Sequence, residues 1–275
     1  MDEMEIFLAA PPGLEPLLAA EAAEAGFAAP RTVPGGVVTR GGWAEVGRAN
    51  RTLRGAGRVL VRIAAFPVHH LAQLDKRAHK VDWPALLRPD VAVRVEATCR
   101  KSKIYHAGAA AQRVARAIAD TAGAPEAAEA PIRVLLRIED NVATLSLDTS
   151  GAPLHRRGSK TFVGKAPLRE TLAALFLRAC RWHPAEPLVD PMCGSGTILL
   201  EAAAIAAGLP AGRGRGFAVE QLAPAIARAA AIPPGDGGAA PGDAAAVLLG
   251  FDRDAGAVRG AAENAARAGV ADSVR

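Results

Sequence analysis

The chain has 275 residues, half of them apolar but only 4% aromatic, and a net charge of +5. That length accommodates two domains, and the composition is that of a globular rather than a disordered protein. No apolar run reaches the roughly 18 residues of a membrane-spanning helix, and the acidic start Met1-Asp2-Glu3-Met4-Glu5 is unlike a secretory signal, so a cytoplasmic protein without a membrane partner is expected.

The charge is unevenly spread. Residues 1–50 carry a net −4, residues 51–165 a net +10 and residues 166–275 a net −1. A basic middle third beside a nearly neutral region points to a polyanionic partner, against the plainer reading of a solvated basic surface. The three cysteines, Cys99, Cys180 and Cys193, are odd in number and not closely spaced, and the histidines are scattered apart from His69-His70. Neither a disulfide framework nor a metal site is expected.

In chain order, Met4 to Ala10 reads as a strand, broken by Pro12-Gly13, and Leu14 to Ala25 as a helix stopped by Gly26. Gly36 to Thr39 reads as a second strand and Trp43 to Asn50 as a helix. Arg58 to Phe66 is β-branched and roughly alternating, and Val91, Val93 and Val95 alternate with Ala92, Arg94 and Glu96, so both predict strands. A loop, Arg100 to His106, precedes a helix over Ala109 to Ala119 with Val114 and Ile118 on one face. Ile132 to Ile138 and Val142 to Leu147 predict a hairpin around Glu139-Asp140-Asn141.

Gly151 to Lys165 has no periodicity. Pro167 can open a helix whose apolar face is Leu168, Leu172, Leu175 and Phe176. Leu188-Val189 is a short strand, and Thr197 to Ala207 a helix ended by Gly208. The Gly/Pro/Ala-rich stretch 208–243 reads as an insertion. Ala246 to Phe251 predicts a strand, and Asp254 caps a helix with Val258, Ala261, Ala265 and Ala268 on its inner face. Strand, glycine turn, helix, strand, acid, helix is the opening of a parallel α/β sheet.

The turn Asp190-Pro191-Met192-Cys193-Gly194-Ser195-Gly196 carries the chemistry. It joins the carboxyl end of a strand to a helix, where open α/β sheets bind ligands. It lacks the third glycine of the dinucleotide fingerprint and the lysine of a P-loop, which favours a nucleoside without phosphate. Asp252, ending the next strand, can accept hydrogen bonds from both hydroxyls of a ribose, with Arg253 beside it. The 56 residues from Gly196 to Asp252 exceed the usual spacing of about 20, and the insertion accounts for the excess. Asp252 could instead be a helix cap, but Asp254 is better placed for that. Cys193 could be a nucleophile, although its place inside the turn argues against it. Trp43, Trp83 and Trp182 read as packing residues, and Glu201 as a helix residue near the turn.

Leu188 to Ala202 closely resembles the first motif of the THUMP-containing RNA guanine-N2 methyltransferases. Ser146 to Gly158 resembles that family's link between RNA-binding and catalytic domains, and Ala166 to Ala173 the helix before its first motif. Gly250 to Asp254 and Asn264 to Val270 resemble its second motif, Ser102 to Gly108 part of its THUMP region, and Phe7 to Glu15 its N-terminal strand and turn.

The resemblance implies an α+β ferredoxin-like/THUMP module followed by an incomplete α/β Rossmann-like methyltransferase domain. It implies a ferredoxin-like part over 1–50, a THUMP-like RNA-binding domain over 51–150, a linker over 151–165 and the start of the catalytic domain over 166–275. It implies S-adenosylmethionine as cofactor and RNA as partner, large-subunit ribosomal RNA first and tRNA as its rival. Arg100, Lys101, Lys103, Arg113, His155, Arg156 and Arg157 are the expected RNA contacts, with Tyr105 or His106 stacking on a base.

Such enzymes hold the acceptor base with an Asn/Asp-Pro-Pro-Tyr motif, which the chain lacks; Ile232-Pro-Pro-Gly235 matches only in part. A chain truncated within its catalytic domain, and inactive alone, is therefore expected. A catalytically incomplete RNA-binding protein and a DNA or small-molecule methyltransferase are the other readings.

Overall fold

Alternation builds the first half of the chain. In β1 (Met4–Ala9), Ile6 and Leu8 are buried while Glu5 and Phe7 turn to the opposite side, the period of two of a pleated strand. The computed structural model describes residues 3–164, 167–231 and 247–275. After β1 come α1 (Glu15–Glu24), β2 (Ala28–Val33), β3 (Gly36–Gly41), α2 (Trp43–Thr52) and β4 (Val59–Pro67). Then follow α3 (Leu71–Ala78), α4 (Trp83–Leu86), β5 (Val93–Arg100), α5 (Ala107–Ala122), β6 (Ile132–Glu139) and β7 (Val142–Asp148).

These seven strands form one sheet in the order β2-β3-β1-β4-β7-β6-β5. Every pairing is antiparallel except β5 with β6. The sheet runs unbroken across residues 50 and 51, because β4 lies between β1 and β7. Ile6, Val59, Leu145 and Val134 cluster with Leu18, Val46, Leu74 and Val114, which puts α1, α2, α3 and α5 over one face. Among the described residues of this half, no helix lies on the other face. Trp43 and Trp83 are core residues, as expected, and the indole of Trp83 donates to Ala78 O. The β6–β7 turn sits at Asp140 and Asn141, both left-handed, where the hairpin was predicted.

The second half begins with α6 (Glu170–Ala179), β8 (Leu188–Asp190), α7 (Thr197–Ala206) and α8 (Pro224–Ala230), then β9 (Leu248–Gly250) and α9 (Ala255–Arg267). β8 and β9 are parallel, and Val274 extends the pairing beyond β9. This is a Rossmann-like arrangement following a ferredoxin-like one.

The structure corrects or adds to the sequence reading at three places. The stretch after Gly208, expected as an insertion, is packed against the first half in its described part. Phe217, Val219, Leu222, Ile226 and Ala230 join the core of the first half, and α8 lies so close to α2 that a Cβ on Gly47 would meet Ala230 O at 2.0 Å. Alanine-rich composition hid this, since small side chains pack closely without a strong apolar signature. Phe176 is 42% exposed and Val258 40% exposed, because the inward faces of α6 and α9 are set by smaller residues, Ala173, Ala174, Leu177, Ala257 and Ala261. Finally, β2 is an edge strand poor in apolar residues, and the structure adds it beside β3. Ile232-Pro-Pro-Gly235 lies outside the described residues.

Candidate cofactor site and its link to the basic half

The register Asp190↔Gly250 brings the ends of β8 and β9 side by side. Phe251 N donates to Asp190 O and Cys193 N to Phe251 O, each at 2.8 Å, so the turn after β8 is stitched to the residues after β9. Asp190 accepts from Met192 N at 3.1 Å, tightening the start of the turn. Gly194 and Gly196 have φ of +52° and +79°, the left-handed region that favours glycine. A Cβ at Gly196 would stand 3.1 Å from that of Ala261 on α9, whereas one at Gly194 would have no atom within 4 Å. Gly196 is thus required for packing, and Gly194 faces open space where a ligand can approach the backbone.

Asp252 completes the site. Its Oδ2 accepts from Gly194 N at 3.0 Å and its Oδ1 from Asp254 N at 2.9 Å. These amide bonds hold its pKa below the usual carboxylate value. Each oxygen has a second lone pair left, so an ionised, fixed acceptor pair stands beside the open backbone of Gly194. That donor and acceptor set fits a nucleoside ribose. Asp254 caps α9 by accepting from Gly256 N at 2.7 Å, as expected. Ser195 is buried, Pro191 is exposed and Met192 is 82% exposed at the mouth of the turn, with Arg253 also exposed. Cys193 is 7% exposed, and burial, then the carboxylates of Asp190 and Asp252, push its thiol up. A thiol so held is a poor nucleophile.

Sequence reasoning gave no role to the residues that brace this turn. Asn264 on α9 is fully buried and makes four hydrogen bonds. It accepts from Thr161 N (3.1 Å) and Phe162 N (3.2 Å) and donates to Phe162 O (3.0 Å) and Ser195 O (3.2 Å). The Phe162 ring fills the space where Gly260 has no side chain. Lys160 donates to Thr197 Oγ1 at 2.7 Å and pairs with Glu170 at 3.3 Å. The signal for Asn264 was a lone amide in the alanine stripe of α9, a position where a polar group must be satisfied.

The halves are joined by ions. Glu201, 4% exposed on α7, meets Arg54 Nη1 and Arg157 Nε at 3.0 Å each. Arg157 also donates to Leu154 O at 2.9 Å and Arg54 O at 2.8 Å, and Arg54 to Leu209 O. Burial opposes ionisation of Glu201, but Arg157 and Arg54 outweigh it and hold its pKa below the ordinary carboxylate value. Arg215 donates to the carbonyls of Ser150, Ala152, Pro153 and Arg156. Glu201 is thus an anchor between the halves.

The expected RNA contacts divide. Arg100 ends β5, and Lys101, Lys103 and Tyr105 follow it on the next loop, all exposed, Tyr105 by 83%. Ile104 is buried beneath them, and the loop is tied to the β6–β7 turn by Lys103 N to Asn141 Oδ1 and Asn141 N to Ser102 Oγ. Arg113 on α5 is exposed with Asp75 at 3.9 Å, and Arg156 is exposed. His155 is half-buried, its pKa lowered by burial and then by Arg169, Arg156, Arg157 and Arg58. Arg157 departs from the expectation: with its side chain 9% exposed and spent on Glu201, it is turned away from solvent. Among the described residues, no group of three or more His, Cys, Asp or Glu is placed to hold a metal, and no helix is long and apolar enough to cross a membrane.

Comparison with known proteins agrees with this architecture. Residues 5–60 match the family described as RlmL ferredoxin-like domain, and residues 157–275 that described as RMKL-like, methyltransferase domain. A ribosomal RNA large subunit methyltransferase K/L of Aliivibrio fischeri (strain ATCC 700601 / ES114) is 34% identical over 276 residues, covering 95% of the chain. The chain spans 39% of the length of that relative. The crystal structure of a "predicted N6-adenine-specific DNA methylase" from Listeria monocytogenes str. 4b F2365 aligns with a TM-score of 0.88 and 30% identity, over all of the chain and 74% of its own. SMU.472, crystallised with SAH, aligns with a TM-score of 0.82 and 25% identity, over 100% of the chain and 75% of its own. The chain thus carries a ferredoxin-like RlmL domain over residues 5–60 followed by an RMKL-like methyltransferase domain over residues 157–275.

Proposed function

We propose that this chain binds S-adenosylmethionine at the Asp190–Gly196 turn and serves methylation of RNA, with guanine N2 of large-subunit ribosomal RNA as the target. The observation that carries the reading is the Gly194–Asp252 bond, which sets an ionised carboxylate against an open glycine backbone at the carboxyl ends of two parallel strands. Asp252 would hold the ribose hydroxyls, and the backbone at Gly194 would lie against the nucleoside. S-adenosylmethionine supplies a sulfonium-bound methyl group that an amine nitrogen can take. The protein's share is alignment, since fixing two reactants in place lowers much of the barrier.

The RNA part rests on the basic middle third and on the relatives named for ribosomal RNA. The loop from Arg100 to Tyr105, with Arg113, His155 and Arg156, would hold phosphates and stack a base in the THUMP-like region. The acceptor motif Asn/Asp-Pro-Pro-Tyr is absent from these 275 residues. In our reading the chain therefore binds cofactor and RNA without turning over by itself.

Transfer of a labelled methyl group from S-adenosylmethionine to ribosomal RNA, tRNA and DNA tests this. Binding of S-adenosylhomocysteine and of ribosomal RNA without label transfer is the expected result. Turnover on RNA would overturn the inactivity, and failure to bind the homocysteine would overturn the cofactor assignment.

A further inference from the structure

Among the described residues, the seven-stranded sheet leaves one face without a helix, and strand register shows what that face carries. Phe7 stands opposite Val38 and Leu60, and Val38 opposite Arg31. Leu60 stands opposite Asp148, Asp148 opposite Arg133 and Arg133 opposite Arg94. The next row runs from Arg40 through Glu5, Arg62, Ser146 and Leu135 to Glu96. A groove of about 700 Å³ follows this face, floored by Phe7, Leu60, Leu135 and Val142.

The charges do not cancel. Four carboxylates of the face already have an arginine, Glu5 with Arg62, Glu96 with Arg94 and Arg133, Asp148 with Arg133 and Glu139 with Arg137, which among the described residues leaves Asp140 at the β6–β7 turn as the exposed acid of the groove without one. Arg31, Arg40 and Arg100 are exposed and have no ion-pair partner among the described residues. They stand at opposite margins, on β2, β3 and β5, about 24–29 Å apart at ~4.8 Å per strand. Between them the Phe7 ring extends over Gly36, whose Cβ would come within 2.7 Å of it, and the Arg62 guanidinium lies 5.4 Å from the ring centroid. Unpaired arginines along the margins suit phosphates, and an aromatic ring with a guanidinium above it suits a base.

We propose that this open face is a second RNA-binding surface, one that takes a single strand laid across the sheet from β2 toward β5. It rests on the RNA reading above and extends it beyond the Lys101–Tyr105 loop, which adjoins Arg100 at the β5 margin.

The test is fluorescence anisotropy with a labelled 12-nucleotide single-stranded RNA at fixed salt. It compares the wild-type chain, R31E/R40E and K101E/K103E. Titration with S-adenosylhomocysteine checks that each variant is folded. The proposal expects R31E/R40E to weaken RNA binding at least tenfold with homocysteine binding unchanged. It also expects 4-thiouridine crosslinks from the wild-type complex on peptides holding Phe7 or Arg62. If R31E/R40E binds within twofold of wild type while K101E/K103E loses affinity, the sheet-face proposal falls and the RNA reading stands. If the wild type binds no RNA, both fall. Displacement by polyglutamate as effective as by unlabelled RNA would mark a general polyanion surface and overturn the proposal.

Discussion

Gly194 and Asp252 are 58 residues apart in sequence, yet the amide of one donates to the carboxylate of the other at 3.0 Å. This bond fixes both the turn and the acid at the ends of β8 and β9. Replacing Asp252 by asparagine keeps an acceptor but removes the charge, and replacing it by alanine removes both. We expect affinity for S-adenosylhomocysteine to fall about tenfold for the first and about a hundredfold for the second by calorimetry, with little change in melting temperature.

The two glycines of the turn separate binding from folding. Alanine at Gly194 meets no protein atom but fills the open space in which we propose the ligand lies. Alanine at Gly196 takes the same left-handed strain and also presses on Ala261. Gly194→Ala should lose homocysteine binding out of proportion to stability. Gly196→Ala should lose both, with about 1–3 kcal/mol of stability from strain and overpacking. Paired thermal melts and titrations distinguish them; equal loss of stability in both variants would contradict the assignment.

Asn264 satisfies two amides and two carbonyls from the fully buried interior of α9. Asn264→Ala orphans them and should destabilise the chain by about 2–4 kcal/mol, since each unsatisfied buried group costs about 1–3. Hydrogen exchange should quicken at Thr161 and Phe162 before the rest of the chain. Unchanged exchange there would show that the amide does not hold the segment.

Glu201 predicts a pH dependence. Its folded pKa is held below the ordinary value by Arg157 and Arg54. A depressed carboxylate pKa contributes stability that is present above the unfolded pKa and is lost as pH falls through the folded one. Glu201→Gln should therefore lower the melting temperature near neutrality, by the equivalent of about 3–5 kcal/mol for a broken buried pair. The gap to wild type should narrow in acid, below the ordinary carboxylate range. A gap constant from pH 7 down to pH 3 would argue that the charge is not what joins the halves.

Lys101 and Lys103 are exposed on the loop expected to meet RNA. If each holds one phosphate, each alanine substitution should weaken binding alike across sequences and reduce the salt slope of log K by about 1. Binding measured from 50 to 200 mM salt reads both quantities.

Where periodicity was strong, the fold was legible. The hairpin at Asp140-Asn141, the strand over Val93 and Val95, and the turn after Val189 all follow from alternation and glycine placement. Asp252 was legible as an acid ending a strand. What stayed hidden depends on contacts between distant segments. Alanine carries little hydrophobic signature, so α8 went unseen within the stretch read as an insertion, although its contact with α2 is backbone-close. Arg157 reads as basic surface until Glu201 is set beside it. Lys160 reads as part of an aperiodic stretch until Thr197 and Glu170 are placed around it.

A crystal structure of this chain soaked with S-adenosylhomocysteine tests the central claim most directly. The account predicts the ribose hydroxyls on the Asp252 carboxylate and the nucleoside against the backbone of Gly194. Density for the ligand elsewhere, with Asp252 still bonded only to Gly194 and Asp254, would contradict it.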